Sequence, residues 1–507
     1  MATVTSRDTT RPRRLALAAQ MRRVSKALRR VDASLEGQAV HRLRVALRRC
    51  RTIAVLMEEV DPHPAWVEMQ RRSRKLFRRL GSLRDAQVLE SWITNLAPAD
   101  DAVREALLAV LNDRQAKPRA QVQRAVEQFD RRAWKRLART LERRPQVVPP
   151  NSLAARCLAL ERYEDLGRLH QRASRTKRPG PWHELRIAVK RFRYAVESLL
   201  PARIAVWAEG LRQVQDLLGE IHDLDVLEAF VAKETADRVA GSAASLRRAI
   251  RAARHIRLEQ YRLRTEGPAG LLHLWQAGLP QGEHVEAAAT ARLRATARAL
   301  DRRPHRTARV SRLALRLFDA LAPRSRQAHA RDKNTRVILR AAAQLHGVRN
   351  SNRHTSGQDA ARDIFRAMSV PPGWKSGDWE ILTLVVRCHR GTEPTPPYAQ
   401  FARLGKLRQD IVRRLAGILR VARALDRCGA ATPPRLRVEE TALGVRLRVA
   451  GLVDTREHAA RLAAAKHLLE AHLQQPLLIE PLADVAAQPA SRSAAHELRR
   501  LRTEGQA

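Results

Sequence analysis

His41, Arg44, Arg48 and Arg51 are spaced so that, at 100° per residue, they fall within one arc of about 80° on a helix. Leu43, Ala46, Leu47 and Cys50 take the opposite side. The same order returns as His183, Arg186, Lys190 and Arg193 against Leu185, Ala188, Val189 and Phe192. The chemistry offered is anion binding. Guanidinium forks onto phosphate oxygens in a bidentate manner, and imidazole donates to an anion more strongly once protonated. Two such stripes facing each other would form a cationic trough, whose like charges repel until a counter-charge occupies it. A solvated charged face is the ordinary reading of one such stripe, and the repetition weighs against it. His41 and His183 stay open between capping or core roles and anion contact. Asp85 and Asp223 read as caps or arginine partners, since no second carboxylate stands at a fixed spacing in both copies to share acid–base work.

The elements that must carry these residues are helices. Ala, Leu, Arg and Glu recur at helical spacing over the first ~300 residues, broken at Pro98, 145–150, 177–181 and 267–270. A second repeated pair, Leu80-Gly-Ser-Leu-Arg-Asp and Leu218-Gly-Glu-Ile-His-Asp, follows the first in the same order. Each copy runs about 120 residues and should hold about four helices, which makes the region a duplicated helical bundle. Gly81 and Gly219 read as allowing close helix contact. Further on, 302–321, 335–346, 379–390 and 404–428 read as helices. A hairpin of 436–440 and 445–450, a helix over 455–473 and a strand over 477–480 then form a small ββαβ unit.

The composition agrees with an anionic partner. The 507 residues carry a formal net charge of +44, and 44% are hydrophobic, enough for real cores in about three folding units. Only 4% are aromatic, which argues against stacking single-stranded bases and for phosphate as the target. Cys50, Cys157, Cys388 and Cys428 lie far apart with no C-x-x-C pair, so neither a zinc knuckle nor a disulfide framework is indicated. No apolar segment has the length of a signal core or a membrane span. A cytoplasmic location is expected.

On these motifs, residues 20–275 resemble the conserved-histidine α-helical (CHAD) domain, with halves at about 20–145 and 151–275. The resemblance implies two four-helix bundles related by pseudo-two-fold symmetry around a basic channel that binds inorganic polyphosphate. Carried over by position, the channel set is His41, Arg44, Arg48, Arg51 and Arg74 with His183, Arg186, Lys190, Arg193 and Arg212. Arg114 and Lys117, with Arg251 and Arg254, are weaker candidates on the closing helices. The stretch 71–79 is densely basic, whereas 211–216 carries little charge, so the channel should be lopsided.

After a basic tail (1–19), this domain and a linker (276–302), residues 303–490 are similar to the C-terminal HD-like helical domain of the exopolyphosphatase and guanosine pentaphosphate phosphatase family; 491–507 form a tail. His305, His346 and Asp426 stand where HD metal ligands would be, but the His-Asp pair reads His346-Gly347. No metal or other cofactor is therefore expected. The actin-like phosphatase domains of that family have no counterpart here. What the resemblance leaves is an accessory surface for polyphosphate, with Arg353, His354, Arg387, His389 and Arg390 as contacts. The expected fold is mainly α: a duplicated four-helix bundle, then an HD-like helical domain with a small α+β unit. The expected function is non-catalytic polyphosphate binding. The alternatives are a degenerate HD phosphohydrolase, acting on polyphosphate or a phosphorylated nucleotide, and a nonspecific nucleic-acid binder. A polyphosphate-metabolising enzyme is kept open as a further partner, as is association with polyphosphate granules, and no membrane partner is expected.

Overall fold

A computed structural model describes residues 17–33, 37–237, 243–301, 303–321, 333–348, 364–365, 368–390, 399–431 and 433–482, with the side chains of 32–33, 37, 82–87, 114–119 and 236–237 excepted. The chain divides into two compact units, Met1–Leu300 with Ile364–Lys375, and Asp301–Asp363 with Ser376–Ala507.

Unit 1 is helical and twofold in its element order. The first half comprises α1 (Leu17–Ala33), α2 (Gly37–Glu58), α3 (Pro64–Leu96), α4 (Ala102–Glu127) and α5 (Arg131–Leu141). The second comprises α6 (Leu153–Ser174), α7 (Pro179–Leu199), α8 (Pro201–Asp237), α9 (Ala244–Thr265) and α10 (Leu271–Ala277). Each half is thus four long helices and one short one. Local chemistry sets their starts: Asp101, Asp130 and Ser152 accept from backbone N–H groups of the first turns of α4, α5 and α6. Each such cap is worth about 1 kcal/mol. Asp130 orients α5, whose Ala133, Trp134, Leu137 and Leu141 fall on one buried face, and the Trp134 indole donates to the Met21 carbonyl at 3.2 Å.

Helices that are equivalent by the repeat meet one another. α2 packs against α7 and α3 against α8, while α1, α2, α5, α6 and α7 share one large apolar core with the early turns of α3 and α8. A separate cluster of Ile93, Leu107, Leu227 and Ile250 closes the far ends of α3, α4, α8 and α9. This pairing brings both repeated motifs to the middle of the unit.

The stretch 276–302, expected as a linker, largely forms α11 (Glu283–Leu300), which packs on α6 and belongs to unit 1. Arg292 of α11 is wholly buried and ion-paired with Glu161 of α6, and its guanidinium also reaches the Ser369 hydroxyl at 3.2 Å. Burial pushes the Glu161 carboxyl up to about 7, with Arg292 opposing the shift. A helix with a buried charge pair at its centre is anchored, which the alanine- and arginine-rich sequence does not reveal.

Unit 2 contains α12 (Pro304–Leu321), α13 (Lys333–Leu345), α14 (Ser376–Cys388), α15 (Ala399–Ala402) and α16 (Lys406–Arg427). β1 (Leu436–Thr441), β2 (Gly444–Val449), α17 (Arg456–Leu473) and β3 (Leu477–Pro481) follow. β1 and β2 pair antiparallel, and α17 crosses over so that β3 lies parallel to β2, in register Val445 with Leu477. Gly444, at φ 121°, makes the hairpin possible: a Cβ there would stand 2.5 Å from the Pro476 carbonyl oxygen. The expected helices and ββαβ unit are present, with ends differing by a few residues. Among the described residues no helix is long and apolar enough to cross a membrane.

Candidate functional site

The sequence puts Leu43, Leu47 and Cys50 into the core of unit 1, so the other face of α2 must carry Arg44, Arg48 and Arg51. The same logic on α7, with Leu185, Val189 and Phe192 buried, turns Arg186 and Lys190 outward. Because α2 packs against α7, the two stripes converge. The clearest sign is Arg48, whose guanidinium lies 5.2 Å from the centre of the Tyr194 ring on the other repeat. Its Nε is buried and has no hydrogen-bond partner among the described residues. An unsatisfied buried donor costs about 1–3 kcal/mol, which an anionic acceptor would recover.

Lys190 reports the electrostatics of this region. Burial and the cations Arg186, Arg48 and Arg44 lower its pKa to about 7, with Asp223 as the opposing carboxylate. Two of those cations belong to the first repeat and one to the second. The trough is therefore a region where added negative charge is favourable and where an amine is held half-ionised near neutral pH.

The first half seats its arginines on α3. Arg44 and Arg51 lie 5.7 and 5.4 Å from the centre of the same Phe77 ring. Arg44 donates to the Leu80 carbonyl at 3.2 Å; Arg51 donates to the Gln70 carbonyl at 2.6 Å and to the Ser73 hydroxyl at 3.1 Å. Burial first, then Arg74 and Arg78, hold Arg51 below its ordinary pKa. Arg74 is exposed, yet it stands close enough to act on Arg51. In the second half His183 meets His222 of α8, with Nδ1 atoms 3.2 Å apart and ring centres at 4.5 Å. Burial, then Arg186, His183 and Lys190, push His222 down to about 4, and burial with Arg186 and Lys190 lowers His183. Both imidazoles are thus neutral at pH 7, and an anion drawing on their charged forms would have to raise them.

The remaining expected contacts are placed differently. His41 is exposed and lines a separate groove of about 370 Å³ between α1 and α2, beside Arg42 and Arg49. Arg193 is ion-paired at 2.8 Å with Glu197 one turn along α7. Arg212 is held by Glu209 and Asp216 on the exposed face of α8. Arg254 is paired with Asp225 at 2.6 Å, and Arg251 stands 3.9 Å from Glu228. Arg247 and Arg257 are likewise paired with Glu228 and Glu220, so α9 and α8 are laced together by charge. The side chains of Arg114, Lys117 and Asp85 lie outside the described residues.

One reading changes. Gly219 is not a site of close helix contact, since a Cβ there would meet nothing within 4 Å, whereas the atoms nearest a Cβ at Gly81 are those of the Arg44 guanidinium on α2, from 3.5 Å. His222, Phe77 and Tyr194 were not singled out from the sequence. His222 had a legible signal, since it occupies the place of Arg84 in the repeated Leu-Gly motif. Phe77 and Tyr194 had none, because their counterparts in the other repeat are Gln215 and Thr52.

In unit 2 the three HD-like positions differ in their surroundings. His305 is exposed, while its neighbours Arg306 and Thr307 line a cavity. Asp426 accepts from Arg306 at 2.9 Å and Arg309 at 2.8 Å. His346 and His389 stack edge-on at 5.6 Å, each with Nδ1 on a backbone carbonyl three residues earlier. Burial pushes His346 to about 4 and His389 well below its ordinary range. Gly347, where the resemblance places a carboxylate, is closely surrounded. A Cβ there would lie 2.5 Å from Thr307 Oγ1 and 3.0 Å from Asp301 Oδ1. Among the described residues no group of three His, Cys, Asp or Glu side chains is placed to share an ion. Arg387 donates to Gln400 outside this cavity, Arg390 lines it, and Arg353 and His354 lie outside the described residues.

Comparison with known proteins matches two stretches of the chain. Residues 15–232 match the family model of the CHAD domain, and residues 294–475 match that of the Ppx/GppA phosphatase, domain III. No curated protein matches the sequence. The crystal structure of the CHAD domain from the plant Ricinus communis is similar at 24% identity over 52% of this chain and 89% of that one, with a TM-score of 0.36. The chain carries a CHAD domain followed by a Ppx/GppA phosphatase domain III.

Proposed function

We propose that this protein binds linear inorganic polyphosphate, without cleaving it, in the trough between the two repeats of unit 1. The observation that carries this reading is the convergence of Arg44 and Arg48 with Arg186 and Lys190, where two copies of one motif supply the same kind of charge to one place. Polyphosphate has about one charge per phosphate and no base to read, which suits a site of arginines with their faces on Phe77 and Tyr194. A catalytic reading lacks support in unit 2, where Asp426 is taken up by two arginines and Gly347 has no space for a carboxylate.

The test is the salt dependence of binding. Polyanion binding that releases counterions weakens linearly in log–log coordinates, by about 0.7–0.9 per phosphate neutralised. Replacing Arg44, Arg48, Arg186 and Lys190 together by Ala should lower the slope by about 3 and the affinity by orders of magnitude. Unchanged slope and affinity in a folded variant would place the polymer elsewhere.

A further inference from the structure

The cavity at the former HD position of unit 2 is lined by Arg303, Arg306, Arg390, Arg423 and Arg427, with Asp301 as its carboxylate, and measures about 240 Å³. A second cavity of about 180 Å³ adjoins it through Arg390, Arg423 and Arg427 and adds Arg420 and Arg461. The arginines are positioned from within the fold. Arg423 donates to the His389 carbonyl at 3.0 Å, Arg390 to His389 Nε2 at 3.1 Å, and Arg420 to the Cys388 carbonyl through two nitrogens. The acceptors named are neutral groups, which orient the guanidinium groups. Asp426, a buried carboxylate on the same helix as Arg423, is ion-paired with Arg306 and Arg309.

We propose that this cavity is a binding site for a compact phosphorylated anion, a terminal di- or triphosphoryl group, separate from the polymer trough. Size and lining select the ligand. At about 240 Å³ the cavity is below the ~300–1,000 Å³ typical of drug-sized ligands, and among the described residues no Phe, Tyr or Trp lines either cavity to hold a base. Several arginines converging on one small volume match several phosphoryl oxygens in a way one surface arginine does not. Burial, followed by Arg390, Arg427, Arg306 and Arg420, lowers Arg423 to about 9, as expected where cations crowd one another in a half-buried cavity. Gly347 fits the same reading. The loss of the carboxylate position and the presence of Arg306 and Arg390 turn the sign of the site from cation-binding to anion-binding. The inference goes beyond the polymer reading and stands independently of it.

The experiment is calorimetric titration of the full chain at about 0.15 M salt with inorganic diphosphate, triphosphate and a nucleoside triphosphate. Wild type is compared with a variant of the exposed rim residue, Arg427→Glu, with Arg390→Gln, and with the fourfold trough variant; circular dichroism confirms folding of each. Saturable diphosphate or triphosphate binding should weaken at least tenfold in Arg427→Glu and in Arg390→Gln, and should persist in the trough variant. A nucleoside triphosphate binding as well as triphosphate would mark a phosphoryl tail as the ligand; triphosphate alone would mark the inorganic group. Diphosphate binding that disappears with the trough and survives both unit 2 changes would overturn the proposal, as would no saturable binding in wild type. Polymer affinity, measured on the same proteins, separates failure here from failure of the trough.

Discussion

The two halves of unit 1 share the stripe on α2 and α7 but differ in the helix that follows. α3 presents Arg71, Arg72, Arg74, Lys75, Arg78 and Arg79 within two turns or so, whereas α8 presents Glu209, Asp216, Glu220, Asp223, Asp225 and Glu228 over its length. On α8 these carboxylates hold Arg212 and lace α9 through Arg247, Arg254 and Arg257. The first half therefore contributes permanent cations, set on Phe77 and reinforced by neighbours. The second contributes groups that titrate: Lys190 near 7, His222 near 4, and a lowered His183. The basic stripe is common to both halves, while one flank is a charge source and the other a scaffold that moderates it.

The largest expected effect separates the halves directly. Arg44→Ala with Arg48→Ala should reduce polyphosphate affinity on the order of 100-fold, since each charged hydrogen bond is worth about 1.5–3 kcal/mol. Arg186→Ala with Lys190→Ala should cost about tenfold, because the Lys190 ammonium meets phosphate as a point charge where Arg44 and Arg48 each present a fork. Fluorescence anisotropy with labelled polyphosphate reads both, and equal losses would break the comparison.

A smaller effect is the dependence on pH, and its sign follows from Lys190. In the free protein its pKa is depressed to about 7; a bound anion returns it toward its ordinary 10.5, so the complex takes up a proton above pH 7. The contribution of Lys190 is therefore full below pH 7, and affinity should fall on the order of tenfold between pH 7 and 8.5 at constant salt. The free protein follows the opposite rule, gaining stability as pH rises from 7 toward 10.5 because the unfolded chain still holds the proton. Lys190→Arg should flatten the affinity profile. A profile that stays steep would assign the titration to another group. Below pH 6 the lowered imidazoles should add a few-fold gain, lost in His183→Gln with His222→Gln.

The smallest effect concerns Arg212. Its exposed pairs with Glu209 and Asp216 leave it little to offer, so Arg212→Ala should change affinity by less than about twofold in the same anisotropy assay. A tenfold loss would bring α8 into the binding surface and remove the asymmetry.

Much of this was legible in the residue order. Buried Leu43, Leu47 and Leu185 fix which face of α2 and α7 is polar, so the stripe and its repetition follow from spacing alone. The lopsidedness was visible in 71–79 against 211–216. What the spacing could not give was which cations already have a carboxylate. Arg193, Arg212 and Arg254 match the motif, but Glu197, Glu209 and Asp225 lie on neighbouring turns or helices and take them up. Nor could it give the aromatic seats, which require α3 beside α2 and α7 beside α2. In unit 2 Gly347 was readable as a lost ligand, whereas the Thr307 and Asp301 atoms that occupy its space are distant in sequence.

The central claim is selective, non-catalytic grip on polyphosphate, and the direct measurement is a competition titration. Labelled long-chain polyphosphate is displaced from the full chain by unlabelled polyphosphate, RNA or DNA at about 0.15 M salt, with free phosphate followed in the same samples. Polyphosphate should compete at least tenfold better than either nucleic acid, with no phosphate released. Parity with RNA would mean that bulk charge governs binding, and phosphate release would show hydrolysis where none is expected; either result would contradict the account.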